Sequence, residues 1–142
     1  MKQLLVLAVG RERDAGMQKL RQDYYRRCSR RARVEEREFR DLAGLGRALD
    51  PKMTVVALDE RGRQHTSREF ARLLSGWLEQ PSSTIAFLIG GADGLDDACR
   101  ARANQLLSLG AMTYAHRLVR LMLAEQLYRA VSILEGAPYH RD

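Results

Sequence analysis

The sequence predicts an α/β fold built on a mostly parallel sheet with helices on both faces. Short, near-continuous apolar runs recur at Gln3–Val9, Thr54–Leu58 and Thr84–Ile89, the pattern of strands buried on both sides. Segments with helical spacing separate them, so successive strands are joined by crossovers rather than hairpins. The chain of 142 residues is long enough for one real core and is taken as a single domain, 1–142.

Each element follows from its local pattern. Gln3–Val9 is a strand stopped by Gly10. Asp14–Arg31 is a helix whose apolar positions Met17, Leu20 and Tyr24 lie three to four apart, with arginine filling the rest. Arg33–Phe39 reads as a weak strand and Asp41–Leu49 as a short helix, broken at Asp50-Pro51. Thr54–Leu58 is a strand closed by the turn Asp59-Glu60-Arg61-Gly62. Ser67–Leu78 is amphipathic, with Phe70, Leu73, Leu74 and Trp77 as its stripe and Thr66 or Ser67 as N-cap. After the strand Thr84–Ile89, the pattern predicts a helix over Asp96–Leu107, a short strand over Ala111–Tyr114 and a long apolar helix over Leu118–Leu134.

Composition narrows the function classes. No run of 18 apolar residues exists, so no membrane span is expected. The apolar N-terminal stretch is short, lacks a small-residue cleavage site and reads as a first strand rather than a signal peptide. Cys28 and Cys99 have no metal spacing and read as reduced cytosolic thiols, which places the protein in the cytoplasm with no metal site. The net charge is +6, and residues 11–40 alone carry eleven Lys/Arg against six acids. That excess, almost all arginine, suits bidentate phosphate contacts and marks Arg26, Arg27, Arg30 and Arg31 as an RNA-binding candidate. A solvated helix face is the plainer account.

In parallel sheets ligands bind in loops beyond the carboxyl ends of the strands. Gly90-Gly91-Ala92-Asp93-Gly94 follows a strand and precedes a helix, but it has neither the dinucleotide spacing nor the P-loop lysine. Taken alone, a tight strand-to-helix turn is the better account of it. Ser108–Ala115 is small and polar with apolar insertions. Its backbone groups suit an adenine edge, and Leu109 and Met112 suit its faces. His116 precedes the last helix and has the chemistry of a proton relay, or of a structural helix-entry residue. Arg120 falls within an apolar arc and needs a partner: a carboxylate, a subunit interface or a ligand. Tyr139, His140 and Arg141 follow Pro138 and place an aromatic, an imidazole and a guanidinium in a row.

Five ordered blocks then carry a resemblance over nearly the whole chain: LLVLAVGR with the Tyr24–Arg27 region, VVALDERG, FLIGGADGL, SLGAMT with His116-Arg117-Leu118, and EQLYRA with PYHRD. The chain resembles the small bacterial SPOUT-class methyltransferases that methylate N3 of a pseudouridine in 23S ribosomal RNA. The resemblance implies a C-terminal trefoil knot, S-adenosylmethionine as cofactor, and a homodimer with its active site at the interface. It implies a cofactor site at Leu58, Gly91, Gly110, Ala111, Met112, Thr113, Tyr114 and Ala115. It also implies a catalytic set drawn from His116, Arg120, Tyr139, His140 and Arg141, with the base and the anion-stabilising cation unassigned within it. Its partner would be ribosomal RNA, on assembled ribosomes. A ribosome-assembly factor without activity, and a methyltransferase of another RNA such as tRNA, are the alternatives. The chain departs from the family at Ala115, where proline is usual, and is shorter over residues 32–50.

Overall fold

The computed structural model describes residues 2–81 and 84–139. Five strands, β1 (Lys2–Val9), β2 (Ala32–Phe39), β3 (Thr54–Gln64), β4 (Thr84–Ile89) and β5 (Gln105–Ser108), form one sheet in the order β2-β1-β4-β3-β5. Every pairing in it is parallel. The helices are α1 (Ala15–Arg27), α2 (Leu42–Arg47), α3 (Ser67–Glu79), α4 (Asp97–Arg102) and α5 (His116–Glu135).

The apolar runs are continuous because both sheet faces are covered. Leu4, Val6, Ile85 and Phe87 face a core shared with Tyr25, Phe70, Leu74, Trp77, Leu123 and Leu127 of α1, α3 and α5. Leu5, Leu7, Val55 and Leu88 face the opposite way, against Leu45 of α2 and Cys99 of α4. Each fully buried Leu or Phe removed from water contributes about 1.5–3 kcal/mol, so these two layers hold the sheet in place.

Four helices begin at a side-chain cap. Asp14, Asp41 and Asp96 accept the backbone N–H of Met17, Gly44 and Cys99. Thr66 and Glu69 exchange reciprocal hydrogen bonds at the start of α3, so Thr66 is the N-cap. The longest helix, α5, has no side-chain cap at its start and ends on Gly136 in the left-handed conformation.

Several boundaries differ from the sequence reading. The helix expected over Asp96–Leu107 is only Asp97–Arg102, and the fifth strand is Gln105–Ser108. Asn104 explains the change. Its side-chain oxygen accepts Val55 N–H at 2.8 Å and its own N–H donates to Val55 O at 2.8 Å, which turns the chain onto the β3 edge. Ala111–Tyr114 is loop, not strand. Strand β3 runs through the expected turn to Gln64, with a register break between Leu58 and Arg63. Helix α1 stops at Arg27 and α5 starts at His116.

Candidate active site

The carboxyl ends of β3, β4 and β5 open into one cleft of about 660 Å³. Three segments wall it: Leu58–Arg61, Ile89–Leu95 and Leu107–His116, with Val119 and Arg100 completing the lining. Of the expected cofactor residues, Leu58, Gly91, Gly110, Met112, Thr113, Tyr114 and Ala115 line it; Ala111 does not. Asp59, Arg100, Ile89, Leu95 and Val119 also line it and were not anticipated.

Each loop is held by its own chemistry. Gly90 is required because a Cβ there would sit 2.4 Å from the Gly94 carbonyl carbon, across the Gly91–Gly94 bridge. A Cβ on Gly91 would meet Val9 Cγ1 at 3.2 Å, at the end of β1. Ser108 Oγ donates to Gly110 O at 2.8 Å and accepts Gly110 N–H at 3.2 Å, folding the start of the last loop. Tyr114 closes over Gly110, where any Cβ would meet its hydroxyl at 2.7 Å. Thr113 donates to Glu60 at 3.1 Å and bridges this loop to the register break of β3. Arg100 ties the first wall to the second by pairing with Asp59 at 3.2 Å and donating to Leu95 O at 2.6 Å, and it also pairs with Asp97 at 2.5 Å.

The cleft therefore has an apolar floor (Leu58, Ile89, Leu95, Leu107) and exposed carboxylates at its lip (Glu60, Asp93). Met112, 74 % exposed, stands at the edge of the cleft and offers a polarisable thioether there. An apolar slot beside backbone amides and acids fits a flat aromatic ring attached to a cationic chain. The S-adenosylmethionine that the resemblance implies has this chemistry: its adenine suits the slot, and its sulfonium and ammonium suit the acids.

His116 lines the cleft as the first residue of α5. Arg120 does not line it. It is 1 % exposed, donates to Glu38 at 2.6 Å, pairs with Glu36 at 3.2 Å and reaches Gly10 O at 3.4 Å. The buried arginine thus finds the carboxylate partners that its burial requires within its own chain. It belongs to a chain of charges that sequence reasoning missed. Arg21, 0 % exposed, grips Glu36 at 2.9 and 3.0 Å and Glu12 at 3.2 Å. Glu12 in turn holds Arg117 at 2.9 Å, and Tyr25 donates to Glu36 at 3.0 Å. Burial raises the Glu12 carboxyl, but Arg117, the Asp14 N–H and Arg21 outweigh it and leave the group below its ordinary value. Glu38 is depressed in the same way, burial being outweighed by the Glu12 N–H and Arg120.

Tyr139 lies away from this cleft. Its ring packs on Tyr128 at 4.4 Å and under Arg129 at 5.2 Å, and its hydroxyl donates to Glu125 at 2.8 Å. Burial, then the Glu125 and Tyr24 contacts, push the hydroxyl above its ordinary value, so it remains a proton donor at neutral pH. His140 and Arg141 lie outside the described residues. In the arginine cluster, Arg26 pairs with Asp23, Arg27 stacks on Tyr24 and Tyr128, and Arg31 holds Glu135 at 2.5 Å; Arg30 is exposed. Both cysteines are buried, with Cys28 pushed up to about 12 and Cys99 to about 11 chiefly by burial, which leaves both thiols protonated.

The family described as "Predicted SPOUT methyltransferase" matches residues 1–140. The chain belongs to the SPOUT methyltransferase family. Membership implies the knotted C-terminal half. The chain is 47 % identical to the ribosomal RNA large subunit methyltransferase H of Roseobacter denitrificans, covering 96 % of this chain and 97 % of that one. The alignment spans 152 positions, more than the 142 residues here, so the relative carries residues this chain lacks. The protein of the same name from Rhodospirillum centenum is 46 % identical, over 97 % and 98 % of the two chains. The probable methyltransferase of Bordetella pertussis shares the fold, with a TM-score of 0.61 at 14 % identity, covering 92 % of this chain and 96 % of that one. Among the described residues no helix is long and apolar enough to cross a membrane, and no cluster of metal-ligating side chains occurs.

Proposed function

We propose that this SPOUT methyltransferase methylates N3 of a pseudouridine in 23S ribosomal RNA, acting as a homodimer on assembled ribosomal particles. One observation carries the reading. The three loops that resemble the family's cofactor blocks converge on a single cleft, in a chain matched almost end to end by proteins named for large-subunit ribosomal RNA methylation.

S-adenosylmethionine supplies an activated methyl group whose transfer is an in-line displacement. The residues must then orient the donor, admit the base and manage one imide proton. The wall at Leu58, the Gly90–Gly94 turn and the Ser108–Ala115 loop orient the donor through backbone groups and apolar contact. His116 faces the cleft from the first turn of α5 and is the candidate to accept the N3 proton. The uncapped start of α5 places partial positive charge at the same point, which favours the imide anion. Arg141 and His140 are the further candidates for cation and base. Tyr139 supports them as a seat rather than a base, since its hydroxyl stays protonated.

Glu125, which holds Tyr139, lies nine positions past His116, about 13 Å along the helix at 1.5 Å per residue. That separation supports a tail that serves the partner's cleft rather than its own. Apolar Leu121 and Met122, half-buried beside exposed Leu118, support pairing of two copies along α5.

The test combines two measurements. Calorimetry should give S-adenosylmethionine binding, and ribosomes from a strain lacking the modification should gain one N-methylated pseudouridine by mass spectrometry. Heat without any rRNA modification, or modification of tRNA instead, would reject the substrate. No heat at all would turn the reading toward an assembly factor.

A further inference from the structure

Acids and arginines around the ends of β1 and β2 are used in opposite ways. The loop after β1 reads Gly10-Arg11-Glu12-Arg13-Asp14, and β2 runs out as Glu38-Phe39-Arg40-Asp41. All four acids are engaged by inward groups. Asp14 and Asp41 cap α1 and α2. Glu12, 2 % exposed, lies between Arg21 and Arg117, and Glu38 takes Arg120 and the Glu12 N–H at 2.7 Å. Arg11, Arg13 and Arg40 are exposed and make no ion pair or side-chain hydrogen bond among the described residues.

These segments form one surface. Gly10 N–H donates to Phe39 O at 2.9 Å, joining the two loops. Arg117 Nε donates to Glu12 at 3.0 Å, joining them to the start of α5. Arg117 is half-exposed and follows His116, which lines the cleft. Unanswered guanidinium groups thus flank the cleft on the β1 side, while its own lip carries carboxylates. The arginines at the end of α1 and just after it differ, because Arg26, Arg27 and Arg31 already have partners within the chain.

We propose that Arg11, Arg13 and Arg40, with Arg117 at their inner edge, form a phosphate-binding rim that lays the RNA strand flanking the target nucleotide across the cleft mouth. The inference rests on the RNA methyltransferase reading above. Planar guanidinium groups suit phosphate oxygens, and each of the four local acids is already engaged by a group of this chain, which lessens its repulsion of a polyanion.

The test uses the full-length protein carrying Arg11→Gln, Arg13→Gln and Arg40→Gln together, with Arg26→Gln/Arg27→Gln as comparison. Probes are unmodified large ribosomal subunits and protein-free 23S rRNA, titrated across a salt series. Each lost phosphate contact removes roughly 0.7–0.9 from the slope of log affinity on log salt, so the triple variant should lose about 2–3 on both probes. Its KM for the particle should rise at least about tenfold, since three contacts are removed. The α1 variant should change less. Unchanged S-adenosylmethionine affinity shows that the variant is folded. A wild-type slope and KM in the triple variant would overturn the rim. A deficit on particles but none on protein-free RNA would assign the surface to a ribosomal protein and overturn it too. If the wild type itself modifies no rRNA, the functional reading fails first and takes the rim with it.

Discussion

Replacing Arg120 with Ala separates a structural arginine from a catalytic one. Removing one partner of a buried ion pair costs about 3–5 kcal/mol, because the carboxylate left behind is neither paired nor hydrated. Here the orphaned groups retain help. Glu38 keeps the Glu12 N–H and has a side chain 30 % exposed to water. Glu36 keeps the two-pronged grip of Arg21 and the Tyr25 hydroxyl. The Nε of Arg120 has no acceptor, which already weakens its contribution. Arg120→Ala therefore belongs at the lower end, about 3 kcal/mol. Arg21→Ala strips two hydrogen bonds from Glu36 and one from Glu12, whose side chains are 7 % and 1 % exposed, and belongs at the upper end, about 5 kcal/mol. Urea unfolding at fixed protein concentration, followed through the single buried Trp77, gives both values. Against a usual total of about 5–15 kcal/mol either loss is large. The folded fraction of Arg120→Ala should turn over as the wild type does. An unchanged midpoint, or the reverse order of the two variants, would refute the network. A stable Arg120→Ala protein that has lost methyl transfer would return the residue to the chemistry.

Acid should act on the same network. Glu12 and Glu38 titrate below their ordinary value of 4.5 in the folded protein, so their contribution is complete above that pH and lost as pH falls below it. Stability measured from pH 7 downward should hold to about 4.5 and then drop, less steeply in Glu38→Gln; an equal drop would remove Glu38 from the account. At the cleft, Gly110→Val should displace Tyr114 and cut S-adenosylmethionine affinity at least about tenfold (1.4 kcal/mol) by calorimetry, with the circular dichroism of the fold retained. Unaltered affinity would show that the Tyr114 closure does not shape the pocket.

The sheet was legible because burial on both faces writes itself as unbroken apolar runs. Helices with clear caps were legible too, as at Thr66. The α4–β5 boundary was not. A strand of four residues has no period of its own, and Asn104 fixes its position through contacts with Val55, forty-nine residues away in sequence. The cleft residues came from matching blocks rather than from chemistry visible in any one of them. Gly91 illustrates the limit. The sequence marks it as special, but only the structure shows that its missing side chain makes room for Val9. The ion network left a faint trace, with Glu36 and Glu38 on one side of β2 and an arginine inside each of two helical arcs. Nothing local says that those arginines meet those acids.

The strand order carries a consequence for how the molecule is made. β4 slots between β1 and β3, and β5 completes the far edge only after more than a hundred residues have been synthesised. A nascent chain ending near Ile89 therefore holds four strands, an open β3 edge and none of the Leu107–His116 wall. Pairings this distant in sequence form slowly, and an open parallel edge invites contact with other chains. Ligand affinity should thus arise in one late step, lagging the bulk of secondary structure in refolding. Until its last quarter has left the ribosome, the chain cannot begin the work proposed for it there.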